Sequence, residues 1–371
     1  MDDLLYLTFD SLQEGVGASQ ALAYVRKIAR HKGVKIVSFE KETPEPSLVK
    51  EIQDSGIQWT PLPFGKYGIL GGLSRIIRMW WHIDRKKIIH ARGNLSALAT
   101  FLRFPKNWIW DCRSLHADQR RALTQSRSAN LSFVAMRVIE YFLAKFSTSI
   151  IVITNAVVPI FVSRYRVKKE KILVISTCVD TEKFTDTPKN FGDEINILLA
   201  GTFSSAYDVS LMNSIISELK RHRKVKVTVA ASKGATPAWA SIDFDFAISV
   251  PHEEMPRLVA ESDLGMSIWK NDLGVCLSSV ASTKTAEFLA SGRPIIINSR
   301  QGDFGNLVSQ NSVGIATDGS SESEIKLYVE ELLTLLADPE LSRRCRELAE
   351  KDFSLEIAVR RLVELYDSFR K

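Results

Sequence analysis

The chain has 371 residues, 45% of them hydrophobic and 25% charged, a balance that fits a soluble globular protein with sizeable cores and excludes a disordered chain. At about 150 residues per domain the length calls for two domains, three at most. The net charge of +6 is uneven: residues 1–180 carry 27 Lys/Arg against 15 Asp/Glu, and residues 181–371 carry 22 against 28. The front half therefore faces something anionic, with a membrane surface, a phosphorylated substrate and nucleic acid as candidate classes.

The opening "MDDLLYLTFD" carries acid where a secretory signal would carry base, and no stretch reaches 18 uninterrupted apolar residues, so a cytoplasmic protein is expected. Short apolar runs then alternate with helix-like segments: "LLYLTF" before 17–32, "VKIVSFE" before 46–55, "KIIHA" before 93–103, then "WIWDC", "SIIVITN" before 156–166, and "KILVIS". The most apolar of these, "SIIVITNAVVPIFV" (149–162), is broken by Thr154, Asn155 and Pro159 and reads as a strand and helix start rather than a span. Cys112, Cys178, Cys276 and Cys345 have no paired spacing, which argues against a zinc site or a disulfide framework.

After a polar interval, Asp180 to Glu194, the alternation restarts with "INILLAGTF", "KVKVTVAA", "FAISV", "LGMSIW", "PIIIN" and "VGIAT". Strands alternating with helices imply right-handed crossovers and parallel sheets. The expected organisation is an α/β domain over 1–180, a second over 181–353, and a C-terminal helix, 354–371, that crosses back to the first. Two such domains facing a central cleft would place strand ends and helix N-termini, the ligand-binding side of open parallel sheets, in that cleft.

The stretch "SSVASTKTAEFLASGRPIIIN" (278–298) concentrates the chemistry. Ser282 or Thr283 is an N-cap, Gly292 a C-terminal stop and Pro294 the opening of a strand, which predicts a helix over about 283–290. Lys284 in its first turn opposes the helix dipole at a cost of a few tenths to about 1 kcal/mol, which an arriving anion would offset. Glu287 shares a face with Lys284, and a carboxylate suits a pair of ribose hydroxyls because it accepts both hydrogen bonds. The competing reading is an exposed intrahelical salt bridge worth about 0.3–0.5 kcal/mol. Spacing alone leaves both open.

"STKTAEFLASGRPIIIN" resembles the Lys-x-x-Glu-(aromatic)-Leu-Ala-x-Gly-x-Pro signature of family 4 glycosyltransferases, which have the GT-B fold of two Rossmann-like domains. "EGVGASQALAYVRKIARHKGVKIVSFEK", "IIHARGNLSALA", "WIWDCRSLHADQRR", the block 138–184 and "SVPHEEMPRLVAESDLGMSIW" resemble further family segments in the same order, over nearly the whole chain. The resemblance implies that Glu287 holds the ribose of a nucleotide diphosphate sugar, while Lys284 and amides near Ser282 and Thr283 meet the diphosphate. It implies that Val250 and Pro251 meet the base, and that Gly201 follows the first strand of the donor domain. In the front domain, Gly15 and Gly17 would let backbone approach a substrate, with Ser19 and Gln20 offering polar groups to an acceptor. Asp111 and Arg113 lie at a strand end, Arg113 on donor phosphate or acceptor, or else paired with Asp111 or Asp118. His116, and with similar standing His90 and Arg92, complete the candidate face.

The sequence departs from the family at two places. Ser279 stands where a second cleft glutamate is usual, so the donor sugar is read by other groups, loop amides or Asp272. The usual phosphate cations after the first strand of the second domain are absent from "AGTFSSAYDV". The implied reaction is retaining glycosyl transfer without a metal or other cofactor, because helix dipole, amides and cations stabilise the leaving diphosphate. Trp80, Trp81, Arg75, Arg78, Arg85, Lys86 and Lys87 within 67–87 suit an anionic bilayer surface, so the expected acceptor is a glycan or lipid-diphosphate-linked saccharide at the inner membrane face, in cell-surface polysaccharide synthesis. Alternatives are a catalytically silent GT-B scaffold subunit and a nucleotide-sugar 2-epimerase. Nucleic acid is disfavoured, since aromatics are not interleaved with base as a stacking platform requires.

Overall fold

A computed structural model describes residues 4–123, 127–186, 192–201, 204–231, 240–250 and 252–369. The chain divides into two compact units, Met1–Ile175 with Leu355–Lys371, and Ser176–Ser354.

In unit 1 the β-branched and aromatic runs form strands β1 (Leu4–Thr8), β2 (Val34–Glu40), β3 (Ile57–Pro63), β4 (Ile88–Arg92), β5 (Trp108–Cys112), β6 (Ser149–Val152) and β7 (Ile172–Val174). They make one sheet in the order β3-β2-β1-β4-β5-β6-β7, and every pairing is parallel. Crossover helices α1 (Ala23–Ala29), α2 (Pro46–Asp54), α3 (Gly68–Trp81), α4 (Asn94–Phe101), α5 (His116–Leu123), α6 (Arg127–Phe146) and α7 (Val158–Tyr165) cover it. β1, β4 and β5 are buried along their whole length, as strands covered on both faces must be. The strand order reverses direction between β1 and β4, the position where parallel sheets open a ligand crevice at their carboxyl ends.

Strand β3 has no counterpart in the sequence reading. Pro61 and Pro63 lie within it and argue against a strand, yet β3 is an edge strand, where a missing N–H can face outward without breaking the ladder.

Unit 2 repeats the plan with β8 (Glu194–Ala200), β9 (Lys224–Ala230), β10 (Phe246–Ile248), β11 (Leu264–Ser267), β12 (Ile295–Asn298) and β13 (Gly314–Thr317) in the order β10-β9-β8-β11-β12-β13, again all parallel. Helices α8 (Val209–His222), α9 (Met255–Glu261), α10 (Thr283–Ala290), α11 (Phe304–Gln310), α12 (Glu322–Leu336) and α13 (Leu341–Asp352) surround it. Its reversal lies between β8 and β11. The architecture is two Rossmann-like parallel-sheet domains, as expected.

The last helix, α14 (Leu355–Ser368), follows unit 2 in sequence but belongs to unit 1. It packs on α1 and is tied there by Lys27–Glu356 at 3.6 Å.

Gly265 fixes how α10 lies on the second sheet. A Cβ at this position in β11 would come within 2.7 Å of the Phe288 ring, so the helix rests on the strand only because the strand is bare there. Gly265→Ala is expected to destabilise unit 2 by about 1–3 kcal/mol through overpacking, read as a lower midpoint in chemical unfolding followed by far-UV circular dichroism.

Candidate functional site

In unit 2 the helix expected over 283–290 forms at Thr283–Ala290. Ser282 occupies the N-cap in extended conformation, but its side chain makes no capping hydrogen bond, so the first-turn N–H groups keep their capacity for another acceptor. Lys284 Nζ lies 2.8 Å from Glu287 Oε2. The intrahelical pair therefore exists, yet it is not the exposed surface bridge weighed from spacing, because the Glu287 side chain is 1% exposed. The other carboxylate oxygen, Oε1, is buried without a hydrogen-bond partner among the described residues, as is Thr285 Oγ1. An unsatisfied buried acceptor costs about 1–3 kcal/mol, more for a charged group. A helix amino end, a cation and an unused carboxylate oxygen thus share two turns, a set that suits a ligand offering hydroxyls beside a phosphate.

Gly201 directly follows β8 at φ +137° and donates its N–H to Ala230 O at 3.0 Å. Val250 is half-buried beyond β10, and Pro251 lies outside the described residues. Asp208, in the segment that lacks the usual phosphate cations, caps α8 by accepting from Leu211 N at 3.0 Å. Ser279 is buried with its hydroxyl donating to Cys276 O at 2.9 Å, and Asp272 is exposed. Asn298, the polar residue closing the apolar run of β12, carries no motif signal in the sequence. Its side chain accepts from Trp269 N at 2.6 Å and donates to Trp269 O at 2.7 Å, holding the chain after β11.

In unit 1 the strand ends bring together four of the singled-out residues. Asp111 is buried and faces His90 Nε2 at 3.2 Å, Arg92 Nη1 at 3.5 Å and Arg113 Nη1 at 3.4 Å. Burial alone would raise its pKa; the Arg113 charge, the hydrogen bond from His90 and the Arg92 charge reverse this and hold the carboxyl well below the usual range. His90 Nδ1 meets Tyr366 of α14 at 2.8 Å, and its ring stacks on Tyr6 with centroids 4.5 Å apart. Burial lowers the His90 pKa against the opposing hydrogen bond to Asp111. With Asp111 ionised, a neutral imidazole donates from Nε2 and accepts the Tyr366 hydroxyl proton at Nδ1. Arg113 pairs with Asp111, whereas Asp118 is taken by Arg137 and Arg164 at 2.7 and 2.9 Å.

His116 is the exposed first residue of α5. Gly15, at φ +54°, has open space beside it, while a Cβ on Gly17 would strike Ser11 O at 1.8 Å, so Gly17 is bare to admit its own chain. Ser19 Oγ donates to Gly15 O at 2.9 Å. The four cysteines are buried thiols, and no group of three or more metal-ligating side chains occurs among the described residues.

No family model and no curated protein sequence matches the chain. Solved structures match it over its full length. Sucrose-phosphate synthase from Thermosynechococcus elongatus superposes with a TM-score of 0.74 at 12% identity, covering 100% of this chain and 99% of that one. Anabaena HepE in complex with UDP and glucose gives 0.72 at 13% identity, covering 98% and 99%. WaaG, a glycosyltransferase involved in lipopolysaccharide biosynthesis, gives 0.70 at 12%, covering 98% and 99%. The fold is the GT-B fold of glycosyltransferases.

The His90 network predicts an acid-sensitive unit 1. The folded state keeps His90 neutral, whereas an unfolded histidine protonates near pH 6.5. The unfolded chain thus binds the extra proton first, and stability falls as pH drops below about 6.5. Asp111, ionised in the fold, adds a second loss as pH falls below about 4. Tyr366→Phe should cost about 1 kcal/mol by leaving Nδ1 without its donor; thermal unfolding from pH 5 to 8 checks the slope and the variant together.

Proposed function

We propose that the chain is a nucleotide-sugar-dependent glycosyltransferase that transfers a sugar with retention to a glycan or lipid-diphosphate-linked saccharide. One observation carries the reading: on a GT-B fold, the Glu287 carboxylate is buried at the amino end of α10, one oxygen on Lys284 and the other without a partner among the described residues. Glu287 accepts from the ribose hydroxyls, and Lys284 with the first-turn N–H groups at Ser282 and Thr283 holds the diphosphate as it leaves. That UDP and glucose accompany HepE, at full-length similarity of fold, supports this class of donor.

The bond between the anomeric carbon and the diphosphate oxygen breaks, the acceptor hydroxyl bonds to that carbon on the same face, and its proton passes to the departing phosphate. Dipole, amides and cation stabilise the leaving group, so the step calls for no metal. In unit 1, Asp111 fixes Arg113 and His90 at the strand ends on the acceptor side.

Unit 1 also supports docking to an anionic inner membrane face. α3 presents an outward apolar stripe, with Ile69 and Leu70 above 80% exposed and Leu73, Ile77 and Trp81 above 50%, and unit 1 exposes further apolar side chains at Phe104 and, on α6, at Val134, Val138 and Phe146. Arg103 stacks on Trp80 with its guanidinium carbon 4.2 Å from the ring centroid, and Arg85 and Lys86 are exposed beside them. Apolar patches of this kind on a basic background mark interfacial surfaces. No helix among the described residues is long and apolar enough to cross a membrane.

Two measurements test the reading. Glu287→Ala is expected to abolish turnover in a screen of UDP-, GDP- and ADP-sugars while circular dichroism stays unchanged; full activity in the variant refutes the assignment, and donor binding without transfer in the wild type identifies a silent scaffold instead. Flotation with vesicles should show binding that rises with anionic lipid and falls sharply in Leu70→Glu/Ile77→Glu; equal flotation with neutral vesicles removes the membrane assignment.

A further inference from the structure

In the proposed function Glu287 and Lys284 engage the ribose and the diphosphate and leave the transferred sugar without a partner of its own. Ser279 stands at the position of the second carboxylate, and its hydroxyl is committed to Cys276 O. Elsewhere in unit 2 one side chain has the opposite character. Gln301, in the turn between β12 and α11, is 0% exposed, and neither Nε2 nor Oε1 has a hydrogen-bond partner among the described residues. Buried side-chain amides are ordinarily satisfied, since an unmet one destabilises the fold.

The turn places this amide beside the segment that leads into α10. Asn298, three residues earlier, holds Trp269 and reaches Asn271 Oδ1 at 3.4 Å; Gly302, one residue later, donates to Leu277 O at 2.9 Å. Gln301 therefore sits between two ties to the 3-10 segment Asn271–Ser279, which ends three residues before Ser282. That segment does not rest on the main core of unit 2. Leu273, Cys276 and Leu277 form their own small cluster with Ala206, flanked by Trp269 and Val280. Gly274 within it adopts φ +56°, ψ −125°, is exposed, and has open space around it, the local freedom a hinge requires.

The chemistry of the unmet groups selects the ligand. Phosphate oxygens only accept hydrogen bonds, so they would leave Oε1 unsatisfied. A carboxamide that must both donate and accept is complemented by hydroxyls, which do both. We propose that Gln301 is the residue that reads hydroxyls of the transferred sugar, reached when the Asn271–Ser279 segment swings about Gly274. This rests on the nucleotide-sugar reading and assigns the part of the donor which Glu287 and Lys284 do not hold.

The test is calorimetric titration of the full-length protein with UDP and UDP-glucose, GDP and GDP-mannose, and ADP and ADP-glucose, carried forward with the pair the wild type binds. Gln301→Met, close in shape and without hydrogen-bonding groups, is compared with Gln301→Leu as a second variant. Both should keep nucleoside diphosphate affinity within about threefold and lose about tenfold or more for the sugar nucleotide, the equivalent of one to two hydrogen bonds. Their melting temperature should hold or rise, since the buried amide has no hydrogen-bond partner among the described residues. Equal affinity of variants and wild type for the sugar nucleotide overturns the proposal, and so does a parallel loss for both ligands with a lowered melting temperature, which marks a purely structural side chain. A wild type that binds no nucleoside diphosphate fails at the earlier step and removes the donor reading together with this one.

Discussion

The organisation of unit 2 turns on a carboxylate that is half satisfied. Glu287 is out of solvent with one oxygen on Lys284 and the other on nothing among the described residues. A buried ion pair is weak support for stability, because desolvation consumes most of the Coulomb attraction. Lys284 adds to that cost by standing at the positive end of a helix dipole. Two unfavourable placements in one eight-residue helix are what the anion and hydroxyls of the proposed donor would offset on binding. In the strand beneath, Gly265 lets the ring of Phe288, the residue after Glu287, settle onto β11.

Unit 1 solves a related problem in the opposite way. Asp111 is as deeply placed as Glu287, but it is surrounded by His90, Arg92 and Arg113. Its neighbours are positioned in turn, His90 between Tyr6 and Tyr366 and Arg92 against Asp10 at 3.2 Å. Each member of this network is held by another, which makes it a rigid support for the more exposed Arg113. One unit holds an acceptor with spare capacity, the other a carboxylate whose capacity is used.

Periodicity carried most of the architecture. Short apolar runs alternating with helical patterns recorded the parallel strands, and the caps around 282 and 292 located α10 to the residue. Edge strand β3 escaped because its prolines conflict with strand propensity, and only its place at the sheet margin resolves the conflict. For the site, a lysine and glutamate at i and i+3 were legible, but spacing carries no information about depth. Burial turned an ordinary salt bridge into a candidate ligand group. Contacts between distant segments were illegible altogether. Nothing in "IIHARG" shows that His90 meets a tyrosine 276 positions away, and nothing in "SRQGDF" shows that the glutamine between two ordinary turn residues is sealed from water.

The return of α14 to unit 1 has a consequence for biosynthesis. A ribosome emits residues 1–175 first, then the whole of unit 2, and only afterwards the helix that carries Tyr366. At roughly 5–20 residues per second, the nascent first sheet waits on the order of ten seconds or more with the Nδ1 nitrogen of His90 lacking its phenol and the surface of α1 uncovered. Unit 2 is contiguous and can complete itself during that interval. The order of emergence and the order of completion are therefore reversed, and the domain born first is the one finished last.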